Sequence, residues 1–347
     1  YNNLYGGLRP KNIYAFAARA GQGKALEENE LIPTPNGFVK IKDLKVGDEV
    51  FAADGTPTKV IAKANWADRD LYKVTTSDGF NVIVDSQHDW TVQRRQDYKW
   101  EVRDTEFLSN STLRDRCKIP LHKAVKYSKK NLTIDPYCLG LWLGDGHSGA
   151  LVLTSVDDFI IQKWKEFGES HDLVMNCQGK YGYRLKNLKP NKIKTNKLRP
   201  LFDQLNLINN KHIPEIYMRG SIHQRKELLR GLIDTDGYVA PDGQTEFVSI
   251  KKEFSYQVLE LIHSLGIKAS IIESDAKIYG RIVSKKYKIS FYMKNSAKLP
   301  RKNKNTANGK KYPHRYLSFE KAGKGNTVCI QIEHSSHLFL CTKAYIP

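Results

Sequence analysis

Leu229-Arg230-Gly231-Leu232-Ile233-Asp234-Thr235-Asp236-Gly237 constrains the fold more than any other stretch of the chain. It reads as an apolar helical stripe with small residues four apart, ending in a carboxylate and a glycine. A looser copy precedes it: Cys138-Leu139-Gly140-Leu141-Trp142-Leu143-Gly144-Asp145-Gly146. Residues i and i+4 share one helix face. The pairs Gly231/Thr235 and Gly140/Gly144 therefore let two such helices cross with their backbones close. Asp145 and Asp236, at positions 145 and 236, would then deliver one carboxylate each to a shared site. Their hard oxygens suit Mg²⁺, and Gly146 and Gly237 leave room for backbone carbonyls beside a cation. Asp234 is the more internal acid; Leu143 stands at its place in the first copy, so the shared role falls to Asp145 and Asp236. Two ordinary amphipathic core helices are the competing reading, and the duplication of the motif argues against it.

Charge adds a partner. Lysine and arginine outnumber acids by 19 in 347 residues, a surplus that favours a polyanion, here nucleic acid. No apolar run is long enough for a membrane span, and no secretory leader stands out. The five cysteines form no C-x-x-C pair and their number is odd, which excludes a full disulfide framework and disfavours a metal cage. A monomer in a reducing cytoplasm, without membrane contact, is the expected setting.

The chain changes character along its length. Asn12-Ile13-Tyr14-Ala15-Phe16-Ala17 reads as a short strand, and Ala18-Arg19-Ala20-Gly21-Gln22-Gly23-Lys24 as a phosphate-binding loop lacking its final Ser or Thr. Ala25 follows instead, and the strand-and-turn pattern after it opens no helix, so nucleotide binding fails at the last residue of the motif. Thr34-Pro35-Asn36-Gly37 and Asp78-Gly79 mark hairpins. Thr327–Ile332 and Leu338–Cys341 read as strands near the far end, and Lys343–Pro347 as a further one. Tyr181–Lys186 and Tyr287–Tyr292 alternate as strands with a polar face suited to DNA. The basic runs 189–199 and 298–311 suit phosphates or a solvated linker.

Together these blocks resemble an intein carrying a LAGLIDADG homing endonuclease. The residues that carry the resemblance are Ala25-Leu26, Thr34–Gly37, Ile41–Leu44, Gly47–Val50, Asp78–Phe80, His88, Val328–Leu340 and the two acid-tipped motifs. The first 24 residues resemble the start of a replicative helicase ATPase domain, interrupted in its phosphate loop. The resemblance implies a mixed fold: an all-β Hedgehog/intein-type splicing domain interrupted by an α+β endonuclease with two pseudo-symmetric halves. Its expected boundaries are a helicase-like extein stub at 1–24, splicing residues at 25–130 and 311–347, and the endonuclease at 131–310.

The same resemblance assigns roles. Ala25 occupies the position of the splicing nucleophile without supplying one. Either it is a substitution that traps the precursor, or the chain belongs to the minority class attacked from the first residue after the insertion. His88 would polarise the amide at that junction, with Asp85 where the family usually has Ser or Thr. His334 and His337 are candidates to assist the far junction, whose usual His-Asn pair would follow Pro347. In the nuclease, Asp145 and Asp236 would be catalytic, with Mg²⁺ as cofactor and Lys186 and Lys288 as candidate supports. Arg184, Lys189, Lys192, Lys194, Lys197, Lys286 and Arg301 are the expected contacts to double-stranded DNA, the intein-free target gene. The flanking exteins are the other partner. A DNA-binding module with a dead nuclease and a helicase fragment are the rival functions.

Overall fold

Two unusually long strands frame the outer parts of the chain in the computed structural model, which describes residues 25–93, 99–110, 118–187, 196–279, 281–303 and 314–347. The phosphate-loop-like stretch 18–24, Cys117, Lys189, Lys192 and Lys194 lie outside the described residues, as does most of the 298–311 basic run.

The amino-terminal strands are β1 (Leu26–Glu27), β2 (Leu31–Thr34), β3 (Gly37–Lys40), β4 (Glu49–Phe51), β5 (Pro57–Thr76), β6 (Asn81–Asp85), β7 (Asp89–Gln93) and β8 (Trp100–Asp104). A short helix α1 (Thr105–Ser109) and β9 (Lys118–Pro120) follow. Asp104 starts α1 by accepting from the Phe107 N–H at 2.7 Å. The β2–β3 hairpin turns at Pro35-Asn36, where Thr34 Oγ1 donates to the Gly37 carbonyl.

The middle of the chain is helical and mixed. It contains α2 (Pro136–Asp145), β10 (Val152–Thr154), α3 (Asp158–Glu169), β11 (Leu173–Gln178), β12 (Gly182–Asn187), α4 (Arg199–Gln204) and α5 (Glu215–Met218). It continues with α6 (Ile222–Asp236), β13 (Gly237–Val239), β14 (Gln244–Ser249), α7 (Lys252–Ser264), β15 (Ala269–Ile278) and β16 (Arg281–Tyr292). The chain then returns as β17 (His314–Ile332).

β17 runs antiparallel to β5 from Leu317↔Thr76 to Ile332↔Val60, with bulges that let so long a pair twist. It is part of an eight-stranded sheet in the order β4-β5-β6-β1-β17-β9-β7-β8. β1 is inserted between β6 and β17 through Leu26↔Val84 and Leu26↔Val328. The start of the described chain is thus pinned inside the sheet. Leu26, Val50, Val74, Val82, Val84, Val92, Val328 and Ile330 build one core.

A second core gathers residues from Ile134 to Leu299. Here β10-β12-β11 form a three-stranded sheet and β13-β14-β16-β15 a four-stranded one. Both pack beside α2 and α6. Leu139, Leu141, Leu228, Leu232 and Ile233 are fully buried there, each contributing about 2 kcal/mol of transfer free energy.

Two expectations at the far end need correction. Leu338–Cys341 and Lys343–Pro347 are not strands. They form a folded-back tail held by the isolated bridges Ala52↔Phe339 and Cys341↔Ile346. Thr342 and Tyr345 take positive φ values of 60° and 51°, which breaks any extended run. The described part of the charged stretch 94–116 is β8 followed by α1. Among the described residues no helix is long and apolar enough to cross a membrane.

Candidate functional site

The α2–α6 crossing is set by missing side chains. A methyl group on Gly231 would sit 2.2 Å from the Tyr137 carbonyl oxygen and 2.9 Å from Gly140 Cα. One on Gly140 would sit 2.4 Å from the Leu228 oxygen, and one on Gly144 2.0 Å from Thr235 Oγ1. The four small residues singled out in the sequence are therefore the contact points. Both helices begin with firm caps. Asp135 accepts from the Cys138 N–H ahead of Pro136, and Ser221 forms a capping box with Gln224.

Running side by side, the helices end together. Asp145 and Asp236 close α2 and α6, and the Asp236 carboxylate lies 3.3 Å from where a Gly144 side chain would start. Burial, then repulsion from Asp236, pushes the Asp145 carboxyl up to about 6. Burial also raises Asp236. Two crowded, half-buried carboxylates of this kind are what a bound cation relieves. Mg²⁺ fits: it is held by one or two carboxylates and keeps the rest of its shell for water and phosphate. Among the described residues no group of three or more His, Cys, Asp and Glu side chains gathers around a common point.

Two lysines that the sequence reading does not name stand at the helix tips. Lys211 Nζ donates to the Gly144 carbonyl at 2.8 Å. Burial pushes its ammonium down to about 8, against the pull of Asp236 and Asp145. Lys302 Nζ donates to the carbonyls of Ile233, Asp234, Thr235 and Gly237 at 2.7–3.1 Å, and its ammonium is likewise lowered by burial. The Gly237 carbonyl, considered for the cation, thus accepts from Lys302. Gly146 donates its N–H to the Trp142 carbonyl as the α2 cap. Neither terminal glycine has a positive φ; each is needed for space, since a Cβ at Gly146 would meet the Trp142 oxygen at 2.3 Å.

Asp234 is buried and points away from this site. It accepts from Tyr137 Oη at 2.6 Å and from the Lys298 and Leu299 N–H groups. Lys186 lies on β12 opposite Val174. Lys288 lies on β16, paired with Glu246 at 3.1 Å. Of the expected DNA contacts, Arg184 is on β12, and Lys286 is on β16 opposite Ser274. Lys197 pairs with Asp172 at 3.0 Å. Arg301 makes a two-pronged ion pair with Asp157, both contacts at 2.8 Å.

A second site lies at the start of β1. The Ala25 carbonyl accepts from the Asp85 N–H at 3.0 Å and faces His88 Nδ1 at 3.2 Å, so the Nδ1–H form of the ring donates to it. The ring packs on Trp90 at 4.8 Å. Asp85 is buried, gripped by Arg69 Nε at 2.7 Å, and caps its turn through the Gln87 N–H. His88, Leu26, Trp90, Leu338, Cys341 and Pro347 line one small cavity. Both ends of the described chain therefore reach the same place. His337 sits in an exposed turn whose N–H donates to the His334 carbonyl, and His334 faces Asp54 at 3.7 Å.

The chain is similar to several known proteins. A model of the LAGLIDADG-like domain matches residues 223–294, which run from α6 through β16. The chain is 31% identical over 365 residues to the replicative DNA helicase DnaB of Mycobacterium intracellulare, covering 95% of this chain and 59% of that protein. It therefore spans a little over half of that relative. The crystal structure of the Msm DnaB1 intein splicing domain bound with zinc is 34% identical over 23% of this chain and 59% of its own, with a TM-score of 0.21. The crystal structure of I-DmoI in complex with DNA and Mn is 16% identical over 47% of this chain and 90% of its own, with a TM-score of 0.33.

Proposed function

We propose that this chain, an intein with an embedded LAGLIDADG endonuclease domain, acts both on its own backbone and on duplex DNA. Residues 1–24 and whatever follows the insertion would be the exteins of a DnaB-like helicase. Residues 25–130 and 311–347 would be the splicing domain, and 131–310 the endonuclease, with α2 and α6 as the axis of two pseudo-symmetric halves.

The observation that carries the nuclease reading is the meeting of Asp145 and Asp236 at the adjoining ends of α2 and α6. The two carboxylates would hold Mg²⁺, which when bound supplies Lewis-acid stabilisation of charge at the scissile phosphate. Lys211 would orient water and phosphate beside it, and Lys302, its donors taken by the carbonyls at the end of α6, would hold that tip in place. The strands of the two smaller sheets, with Arg184 and Lys286, would lie along the duplex and read it. The substrate would be the helicase gene lacking the insertion.

The splicing reading rests on the two donors aimed at the Ala25 carbonyl. His88 Nδ1–H and the Asp85 N–H would polarise and steady the backbone just after the Lys24–Ala25 bond, with His88 as the group that passes a proton to the departing amine. Ala25 offers no side-chain nucleophile, so attack on Lys24 would come from the hydroxyl or thiol of the residue that follows the insertion.

The test is a plasmid carrying the uninterrupted helicase sequence, incubated with the chain and Mg²⁺. Site-specific double-strand cutting, lost in Asp145→Asn and Asp236→Asn while DNA binding persists, is expected. Tight binding with no cutting by the parent chain overturns the nuclease assignment.

A further inference from the structure

The last residues of the chain are gripped by side chains from the endonuclease unit. Arg219 follows α5 and its side chain is only 6% exposed. Its guanidinium donates to the hydroxyl oxygens of Tyr345 at 3.2 Å and Tyr127 at 3.3 Å. It pairs with Glu260 of α7 at 3.0 Å and Glu215 at 2.7 Å, and lies over the Phe38 ring. Tyr345 is fully buried, stacked on His122 at 5.5 Å and tilted against Phe38 at 5.7 Å. Its φ of 51° is a conformation that a tyrosine keeps only when its surroundings impose it. Just before it, Lys343 faces Glu260 at 3.9 Å and the Ala344 carbonyl accepts from Arg315 at 2.9 Å. Two residues past Tyr345, Pro347 lines the cavity that holds His88 and Leu26.

We propose that Arg219, although it belongs to the endonuclease unit, is a positioning residue for splicing: by anchoring Tyr345 it fixes how the chain's carboxyl-side junction approaches His88. This rests on the splicing reading given above. A buried, planar, five-donor fork is suited to such a task, because it fixes direction as well as distance. The arrangement makes the carboxyl-side junction dependent on a domain that does no splicing chemistry, while the DNA-cutting centre at the α2 and α6 tips is untouched by the same contact.

The experiment uses the full-length host precursor as parent, Arg219→Met, Arg219→Lys and Tyr345→Phe. Tyr345→Phe leaves every ion pair of Arg219 in place, so it reports on the anchor even if Arg219→Met unfolds. Release at the junction after Pro347, amide exchange of the 340–347 peptide and DNA cleavage are measured for each. Misplacing a reacting group by about an ångström costs up to ~100-fold in rate. Arg219→Met is expected to slow that release by roughly 10- to 100-fold. Tyr345→Phe is expected to slow it less, and Arg219→Lys to restore part of it. Exchange of 340–347 should quicken in step, with DNA cleavage unchanged. Unchanged release in Tyr345→Phe and in a folded Arg219→Met overturns the proposal, as does a loss of release and DNA cleavage together in Tyr345→Phe. A parent precursor that releases nothing refutes the splicing reading itself.

Discussion

Lys211 and Lys302 stand in the same relation to two different helices. Lys211 places its ammonium on the Gly144 carbonyl at the end of α2, and Lys302 places its own on four carbonyls at the end of α6. Each lies 66 residues after the aspartate that closes its helix, at positions 145 and 211 in one case and 236 and 302 in the other. A helix carboxyl end carries partial negative charge, and an ammonium group there offsets it. Here the same two cations also face the crowded carboxylates of Asp145 and Asp236.

Removing either lysine is therefore expected to affect cutting more than folding. Lys211→Met should lower the rate of DNA cleavage by about 100-fold, in the range seen when a positioned donor is lost, with DNA affinity nearly kept. Lys302→Met should do the same and also lower stability by about 1–2 kcal/mol, since it uncaps α6. Single-turnover cleavage and urea denaturation of each variant separate the two effects. Equal cleavage rates in Lys211→Met and the parent would remove that lysine from the site.

The crossing glycines make a sharper structural prediction. Gly231→Ala introduces a methyl group 2.2 Å from the Tyr137 carbonyl and close to Gly140 Cα, both backbone atoms with no freedom to yield. The helices must part, and overpacking of this kind costs about 3 kcal/mol or more. The variant should lose cleavage with its stability. Gly179→Ala, at an open turn with φ +64°, should cost only about 1 kcal/mol and leave cleavage intact. Denaturation midpoints for the two variants check the ranking.

The helix motif is legible in the sequence because its information is local: spacing four, small residues, a terminal acid. The turns at Thr34–Gly37 and Asp78-Gly79 are legible for the same reason. Lys211 and Lys302 lie in irregular segments with no pattern of their own. The one signal is that they repeat at the same offset of 91 positions as Asp145 and Asp236, which only a systematic search for duplicated spacings exposes. For Lys186 and Lys288 the strand alternation fixes a face and not a distance to the acids; Lys288 is turned to Glu246. The tail Lys343–Pro347 reads as a strand from its composition. Its folded-back course is imposed by Arg219, Arg315 and Tyr127, residues 29 or more positions from the ones they hold.

Glu30 gives a pH-dependent prediction. Burial raises its carboxyl to about 7, against the opposing hydrogen bond from the Ile83 N–H. The folded chain thus keeps a proton that the unfolded chain releases near 4.5. The stability this supplies is full below about pH 4.5 and is lost as pH rises through 7. Glu30→Gln keeps an acceptor for Ile83 and cannot ionise. It should be more stable than the parent at pH 8 by on the order of 2 kcal/mol and nearly equal to it at pH 5. An equal difference at both pH values would mean that the carboxyl is ionised in the fold throughout.

His122 and His263 act in the opposite direction, at the seam between the two units. His122 Nε2 donates to the His263 carbonyl at 2.7 Å, and His263 Nε2 to the Ala269 carbonyl at 3.2 Å. Burial, then the nearby Arg315 charge, holds them at about 3 and about 4. Around them stand Arg225 and the Arg315–Asp78 pair, with guanidinium and carboxylate 2.8 Å apart. Unfolded histidines bind protons near 6.5 while the folded ones do not, so stability is full above that value and falls as pH drops toward 4. The combined loss should reach a few kcal/mol. His122→Gln retains a donor for the His263 carbonyl without a titrating ring, so its unfolding transition on acidification should move to lower pH. Near-ultraviolet circular dichroism, which follows the packed Tyr345 and Tyr127 rings beside His122, reads that transition. A midpoint identical to the parent's would show that the acid limb is set elsewhere in the chain.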